Sequence, residues 1–134
     1  MEHKRLLAQS ENYKISHEYE TVFLTHNNSN TPDIVIGDFY ADPEAAIIDA
    51  AERFVIMVGY GLIVYYLAMP FEAYLYDLPT SQWRELFREK GNELWIEKIS
   101  QQSKDVFHFT VDSHSNEGGT YELVFPDLTS RKLS

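Results

Sequence analysis

Eighteen consecutive residues, Phe54 to Phe71, carry no charged side chain, so the fold must bury them or place them in a membrane. This length is close to the lower limit for a membrane-spanning helix. Two glycines interrupt its middle, Pro70 closes it, and most of its other residues are β-branched or aromatic, which favours strands. The stretch therefore predicts a tight hairpin, with strands at 53–58 and 62–68 joined by residues 59–61, and no membrane span.

The hairpin also predicts where the rest of the chain packs. Nearly continuous apolar strands are typical of strands that are covered on both faces at the centre of a sheet. The preceding segments 13–25, 33–39 and 45–49 are extended in pattern and separated by residues that favour turns. Short strands in succession with tight turns predict an antiparallel meander around the central hairpin.

Residues 80–91 carry the pattern of a helix. Thr80 is a suitable N-cap residue, and Trp83, Leu86 and Phe87 have the i, i+3 and i+4 spacing of one apolar stripe. A glycine at the end of the range suits a helix C-terminus. We therefore expect one principal helix here, which makes the predicted fold class α+β, mainly antiparallel β-sheet.

The C-terminal third adds further strands. Residues 92–102 fit a helix or a strand, and we favour a strand that pairs with 105–112 across residues 103–104. Another alternating strand follows at 121–125, and the polar tail 128–134 is expected to fray. Neither a linker nor an internal repeat divides the chain. With 134 residues, 44% of them hydrophobic, residues 1–134 are predicted to form a single domain.

Charge and composition exclude several function classes. The net charge of −10, from 21 acids and 11 bases, argues against direct nucleic-acid binding, which depends on clustered Lys and Arg. The absence of cysteine removes disulfides, zinc ribbons and thiol chemistry. The first fifteen residues lack the apolar core of a signal peptide, which predicts a cytoplasmic protein.

Motifs for catalysis or cofactor binding are missing from the sequence. It contains no G-x-S-x-G elbow and no phosphate-binding glycine loop, and its five histidines lack metal-ligand spacing. Carboxylates such as Asp38, Asp42 and Glu44 could supply an acid–base pair, but any acidic loop offers such pairs. We therefore expect a protein without enzymatic activity, cofactor or metal.

Negative charge is concentrated in one part of the chain. Residues 18–77 hold ten acids and a single base, Arg53. This charge either keeps an aromatic-rich protein soluble or forms a docking face for a basic partner. Nearby tyrosines, including Tyr19 and Tyr76, would supply anchors for such a face. The candidate partner-binding residues are Asp33, Asp38, Tyr40, Asp42, Glu44, Asp49, Glu52 and Tyr60.

Residues 37–43 (GDFYADP), the segment 45–49 and the hairpin 58–65 resemble small acidic immunity proteins. These belong to bacterial toxin–immunity systems, including contact-dependent inhibition systems. The resemblance implies a compact α+β domain in the cytoplasm that binds and neutralises a cognate toxin, often a nuclease. It implies no particular contact residues.

Three functions remain open on this evidence. The first is a non-enzymatic inhibitor that covers the active site of a basic toxin with its acidic surface. The second is a small-molecule-binding protein or enzyme that uses a pocket of aromatic side chains and carboxylates. The third is a subunit of a homo- or hetero-oligomer built on an exposed sheet edge.

Overall fold

A computed structural model of the chain describes residues 4–76, 78 and 80–134. Within these residues the secondary structure is entirely β, and no helix is present. The strands are β1 (Arg5–Gln9), β2 (Tyr13–Glu18), β3 (Thr21–His26), β4 (Ile34–Asp38), β5 (Ala45–Ile48), β6 (Phe54–Gly59), β7 (Gly61–Tyr66), β8 (Trp83–Leu86), β9 (Ile96–Ser103), β10 (Val106–Val111), β11 (Gly119–Val124) and β12 (Thr129–Lys132).

The strands form three antiparallel sheets of four strands each. The first sheet has the order β1-β2-β3-β4, the middle sheet β5-β6-β7-β8, and the third sheet β12-β11-β10-β9. Each sheet is a meander, because every strand pairs with its neighbour in the chain. The same topology thus occurs three times, although the sequence shows no repeat.

The middle sheet is buried on both faces. Phe54, Ile56 and Val58 of β6 pack with Phe107 and Phe109 of the third sheet. Side chains from the opposite face of the middle sheet pack against the first sheet. This second cluster contains Val55, Met57, Ile63, Tyr65 and Trp83 together with Ile15, Val22, Leu24 and Ile36. The predicted central hairpin, covered on both faces, is therefore confirmed.

The predicted helix at 80–91, and with it the α+β class, is wrong. The segment instead contains β8, in which Trp83 pairs with Tyr65 of β7. In a strand, residues three apart point to opposite faces. Trp83 packs towards the first sheet and Leu86 towards the third. Because both faces of this sheet are covered, both residues are apolar, and their spacing imitates a helical stripe.

The C-terminal third forms the third sheet. The predicted pairing of a strand in 92–102 with 105–112 is confirmed, because β9 and β10 are antiparallel neighbours. Residues 129–132, within the tail that was expected to fray, form β12 and pair with β11. Leu128, just before β12, is buried in the cluster between the middle and third sheets. The burial of Leu128 places the start of this tail in the core.

Residues 4–76, 78 and 80–134 contain no helix that is long and apolar enough to cross a membrane.

An ionic network with a buried carboxylate at its centre joins the middle sheet to the third sheet. Asp49, in the turn between β5 and β6, is only 2% exposed and receives hydrogen bonds from the Arg53 guanidinium at 2.7 and 3.0 Å. Arg53 also donates to Asp105 at 2.8 Å, and Gln101 donates to Asp49 at 2.8 Å. Burial alone would raise the pKa of Asp49, but the hydrogen bonds from Arg53 and Gln101 lower it to about 2.

The shifted pKa predicts a loss of stability in acid. A carboxyl group whose pKa is lower in the folded state stabilises the fold above its unfolded pKa, near 3.8, and loses this effect as the pH falls towards 2. We expect Asp49→Asn to remove this contribution, which is about 2 kcal/mol. The difference in unfolding free energy between wild type and variant, measured with urea, should shrink between pH 6 and pH 2.5.

The matched control is Asp127→Asn, since Asp127 is an exposed carboxylate near β12. It should leave the unfolding free energy nearly unchanged at both pH values. A difference between wild type and Asp49→Asn that stayed constant with pH would contradict the proposed role of Asp49.

Candidate functional site

Three connections meet at one end of the molecule, which we call the acidic end. They are the β2–β3 turn at Glu18–Glu20, the β4–β5 loop at 39–44, and the β6–β7 turn at Tyr60. Strand register brings the first two together, because Thr21 pairs with Asp38 and the backbone N–H of Ala41 donates to the Glu20 carboxylate at 2.8 Å. Five carboxylates lie here: Glu18, Glu20, Asp38, Asp42 and Glu44.

Exposed tyrosines accompany these carboxylates. Tyr19, Tyr40 and Tyr76 are 75%, 74% and 70% exposed. Tyr19 also has a φ of 53°, a left-handed conformation that is costly for a residue other than glycine. The tight β2–β3 turn accounts for it, because two-residue hairpin turns use left-handed residues. A large aromatic ring is therefore kept in solvent in a strained turn between two glutamates.

A cavity of about 400 Å³ opens among these side chains. We call it the tyrosine pocket, and its lining consists of Asp38, Phe39, Tyr40, Tyr60, Tyr76 and Arg88. The Tyr40 and Tyr60 rings meet edge to face with their centroids 5.5 Å apart, and Tyr60 makes a similar contact with Trp95 at 5.8 Å. Aromatic rings in mutual contact give the pocket a defined wall.

Arg88 lines both the tyrosine pocket and a neighbouring cavity of about 790 Å³. Its guanidinium lies over the Phe39 ring at 4.8 Å, pairs with Glu85 at 3.1 Å and donates to the Asp38 carbonyl oxygen at 2.7 Å. Its Nη1 atom is buried without a hydrogen-bond partner among the described residues. Buried side-chain atoms of His26, Asn27 and Thr110 are likewise unpaired among the described residues.

The long β7–β8 connection, residues 67–82, brings Tyr76 to the pocket. Two buried side chains, those of Gln82 and Tyr74, make hydrogen bonds that hold described parts of this connection. Gln82 donates to the carbonyl oxygens of Tyr66 and Ala68, and the Tyr74 hydroxyl donates to the Glu85 carboxylate at 2.8 Å. Burial first, and then the Glu85 carboxylate, raise the pKa of Tyr74. Tyr76 thus lies two residues after Tyr74, which is bonded to Glu85 of β8 and to the backbone of Val35 in β4.

Not all of the predicted binding residues share this end. Asp38, Tyr40 and Tyr60 line the tyrosine pocket, and Asp42 and Glu44 lie in the adjacent loop with exposed side chains. Asp33 stands at the other end of β4 and pairs with Lys4 at 2.8 Å. The hydrogen bond from Lys4 is the main reason that the pKa of Asp33 is lowered.

Asp49 and Glu52 lie at the opposite end of the middle sheet. Strand register decides this, because Ala45 pairs with Val58 at one end of β5 while Ile48 pairs with Val55 at the other. Glu52 accepts hydrogen bonds from Ser10 and Asn12, which lower its pKa. Both acids are therefore bound within the fold and are not grouped with the acidic end.

Arg88 and the role of Tyr76 as a pocket wall escaped prediction from sequence. Arg88 lies within the range of the predicted helix 80–91, whereas in the structure it follows β8 and reaches across to β4. No signal in the sequence indicated either role, because the predicted helix at 80–91 hid the β7–β8 connection that brings Tyr76 to the pocket.

Within the described part of the chain, no group of three or more His, Asp or Glu side chains is placed to hold a metal ion. Comparison with models of protein families, with curated proteins and with solved structures finds no match to this chain. The geometry of the acidic end is therefore the principal evidence for a function.

Gly61 follows Tyr60 at the β6–β7 turn, and its substitution tests how closely Arg88 packs against this turn. A Cβ atom at Gly61 would lie 2.1 Å from Cγ of Arg88 and 3.0 Å from the Phe87 carbonyl oxygen. We expect Gly61→Ala to lower the unfolding free energy by about 3 kcal/mol, through strain at φ 88° and this overlap. Urea denaturation measures the loss.

Gly91→Ala is the matched control, because its φ is 94° but nothing lies within 4 Å of the added Cβ. Only the backbone strain remains there, so the loss should be about 1 kcal/mol. Equal losses in the two variants would show that Arg88 does not pack against Gly61.

Proposed function

We propose that this chain is a non-enzymatic binding protein whose acidic end docks on a basic protein surface. In the immunity-type activity that the sequence resemblance suggests, the partner is a toxin domain, nucleases included. The chain would neutralise it in the cytoplasm by covering its active site. The observation that carries the proposal is the grouping of five carboxylates around exposed tyrosines at one end of the fold.

Charge supports a basic partner. Glu20, Asp38, Asp42 and Glu44 are all exposed at this end, while Arg88 pairs with Glu85 and donates to the Asp38 carbonyl oxygen. The five acids of this end outnumber Lys4 and Arg5, which line a cavity together with Glu18, Tyr19 and Asp42. Complementary charge increases the rate and specificity of association more than it increases affinity. Exposed charges are screened beyond about 8 Å at physiological ionic strength, so the binding should weaken as salt is added.

The distribution of tyrosines supports a protein partner. Interfaces concentrate their binding energy in a few Tyr, Trp and Arg residues near the centre, surrounded by polar residues that exclude water. At the acidic end, Tyr40, Tyr60 and Tyr76 lie together at one pocket, with carboxylates around them. This arrangement matches an apolar centre with a polar rim.

Small-ligand binding is a second candidate, and the tyrosine pocket is the observation that favours it. Its volume of about 400 Å³ lies within the usual range for ligand pockets, and a carboxylate and three tyrosines converge on it. A ligand site of this kind would not require the exposed acids outside the pocket, such as Asp42 and Glu44.

Charge reversal tests the docking proposal. We expect Asp38→Lys, Asp42→Lys and Glu44→Lys together to abolish retention of a basic partner from source-cell extract at 50 mM NaCl, while the far-UV circular dichroism spectrum stays unchanged. The wild-type chain should lose that partner at 500 mM NaCl. The isolated partner should lose its toxic activity when the wild-type chain is added and keep it with the triple variant.

The matched control reverses three exposed acids elsewhere, Glu11, Glu97 and Asp127, and so changes the net charge equally. It should bind and neutralise the partner as the wild type does. Equal losses of binding in both triple variants would show that net charge alone causes the effect, and would contradict docking through the acidic end. An empty capture at both salt concentrations with a folded bait would favour the small-ligand function.

Two substitutions at Tyr19 should separate its effect on the stability of the fold from its effect on partner binding. Tyr19→Ala removes the ring but keeps the strain at φ 53°, whereas Tyr19→Gly removes both. We expect the glycine variant to exceed the alanine variant in unfolding free energy by about 1 kcal/mol. Both should weaken partner binding about tenfold, as expected for an interface tyrosine. Binding at wild-type strength would show that Tyr19 is not an anchor.

A further inference from the structure

The tyrosine pocket combines aromatic rings with a carboxylate that receives no hydrogen bond from the described residues. Tyr40, Tyr60 and Tyr76 form its walls, and Asp38 stands at its edge with its side chain exposed. The backbone carbonyl of Asp38 is engaged by Arg88, but that bond leaves the carboxylate oxygens available. Faces of tyrosine rings carry negative electrostatic potential and attract cations.

The charge balance in and around the pocket favours a cation as well. Arg88 is the one base among the residues that line it, and Glu85 pairs with it at 3.1 Å. Asp38 and the neighbouring acids Glu20, Asp42 and Glu44 add negative charge, and they outnumber the bases Lys4 and Arg5 that line a further cavity with Asp42. This negative field repels an anionic group and attracts a cationic group.

Arg88 also shows the binding geometry that this pocket supports. Its guanidinium stacks on an aromatic ring at 4.8 Å while its N–H groups engage oxygen atoms of Glu85 and Asp38. Guanidinium combines aromatic stacking with a fork of donors that fits a carboxylate, and an ammonium group does not. The pocket volume of about 400 Å³ leaves room for one side chain that enters from solvent.

From these observations we infer that the tyrosine pocket receives an arginine side chain of the protein partner, stacked on the tyrosine rings and bonded to the Asp38 carboxylate. The inference rests on the proposed function, because it names the group that a basic partner would insert at the acidic end. It gives that interface a specific contact in addition to general charge complementarity.

The test uses Nα-acetyl-arginine amide and the full chain, so no partner is needed. In a titration followed by ¹H–¹⁵N correlation spectra, saturable shifts should map to Tyr40, Tyr60, Tyr76 and Arg88. The citrulline analogue, which keeps the shape but lacks the charge, should bind at least tenfold more weakly. Binding by citrulline or by Nα-acetyl-lysine amide as strong as by the arginine compound would overturn the inference.

Substitutions in the pocket show where the arginine compound binds. Tyr76→Ala and Asp38→Asn should each weaken binding of the arginine compound about fivefold to tenfold, and Tyr76→Phe should retain it because the ring remains. The matched control is Leu75→Ala, since Leu75 is the exposed neighbour of Tyr76 and does not line the pocket. A loss in Leu75→Ala equal to that in Tyr76→Ala would overturn the inference.

The two proposals fail in different ways. If the toxin partner binds through the acidic end but Tyr76→Ala and Asp38→Asn bind it at wild-type strength, the arginine contact is refuted and the proposed function stands. If the arginine compound binds in the pocket but no basic partner is retained from extract, the contact chemistry stands and the proposed function fails.

Discussion

The middle sheet, with apolar side chains on both faces, is the constraint on which the rest of the structure depends. Val55, Ile56, Ile63 and Val64 alternate between two cores that share the same strands. Neither face can meet water, so each requires a covering sheet, and the chain supplies one before and one after the hairpin. The outer sheets need only one apolar face each. Exposed functional groups are therefore confined to the outer surfaces and the two ends.

The two ends of the middle sheet serve different purposes. At one end Asp49, Arg53 and Asp105 form a hydrogen-bonded ionic network that ties the middle sheet to the third sheet. At the other end the rings of Tyr19, Tyr40 and Tyr76 are exposed, and Arg88 keeps a buried nitrogen without a partner among the described residues. Internal ion pairing thus marks the first end, and exposed tyrosines and carboxylates mark the second.

Prediction from sequence succeeded where one local signal was sufficient. The central hairpin followed from continuous apolarity, and the β9–β10 pair followed from alternation. The helix at 80–91 failed because Trp83 and Leu86 face two different cores, which periodicity within one segment does not reveal. Among the acids, Asp38 and Asp49 were grouped by sequence proximity, and the register of β5 with β6 separates them by the length of a strand.

The sequence by itself determined that the chain buries a central hairpin, that cysteine chemistry is absent, and that negative charge concentrates between residues 18 and 77. These properties depend on residue type and on neighbours in the chain. Only the tertiary structure decided which acids are bound internally, such as Glu52, and which share an end with Tyr40 and Tyr76. The physical reason is that burial and pairing of a side chain depend on strands distant in sequence, and their register is set by packing in three dimensions.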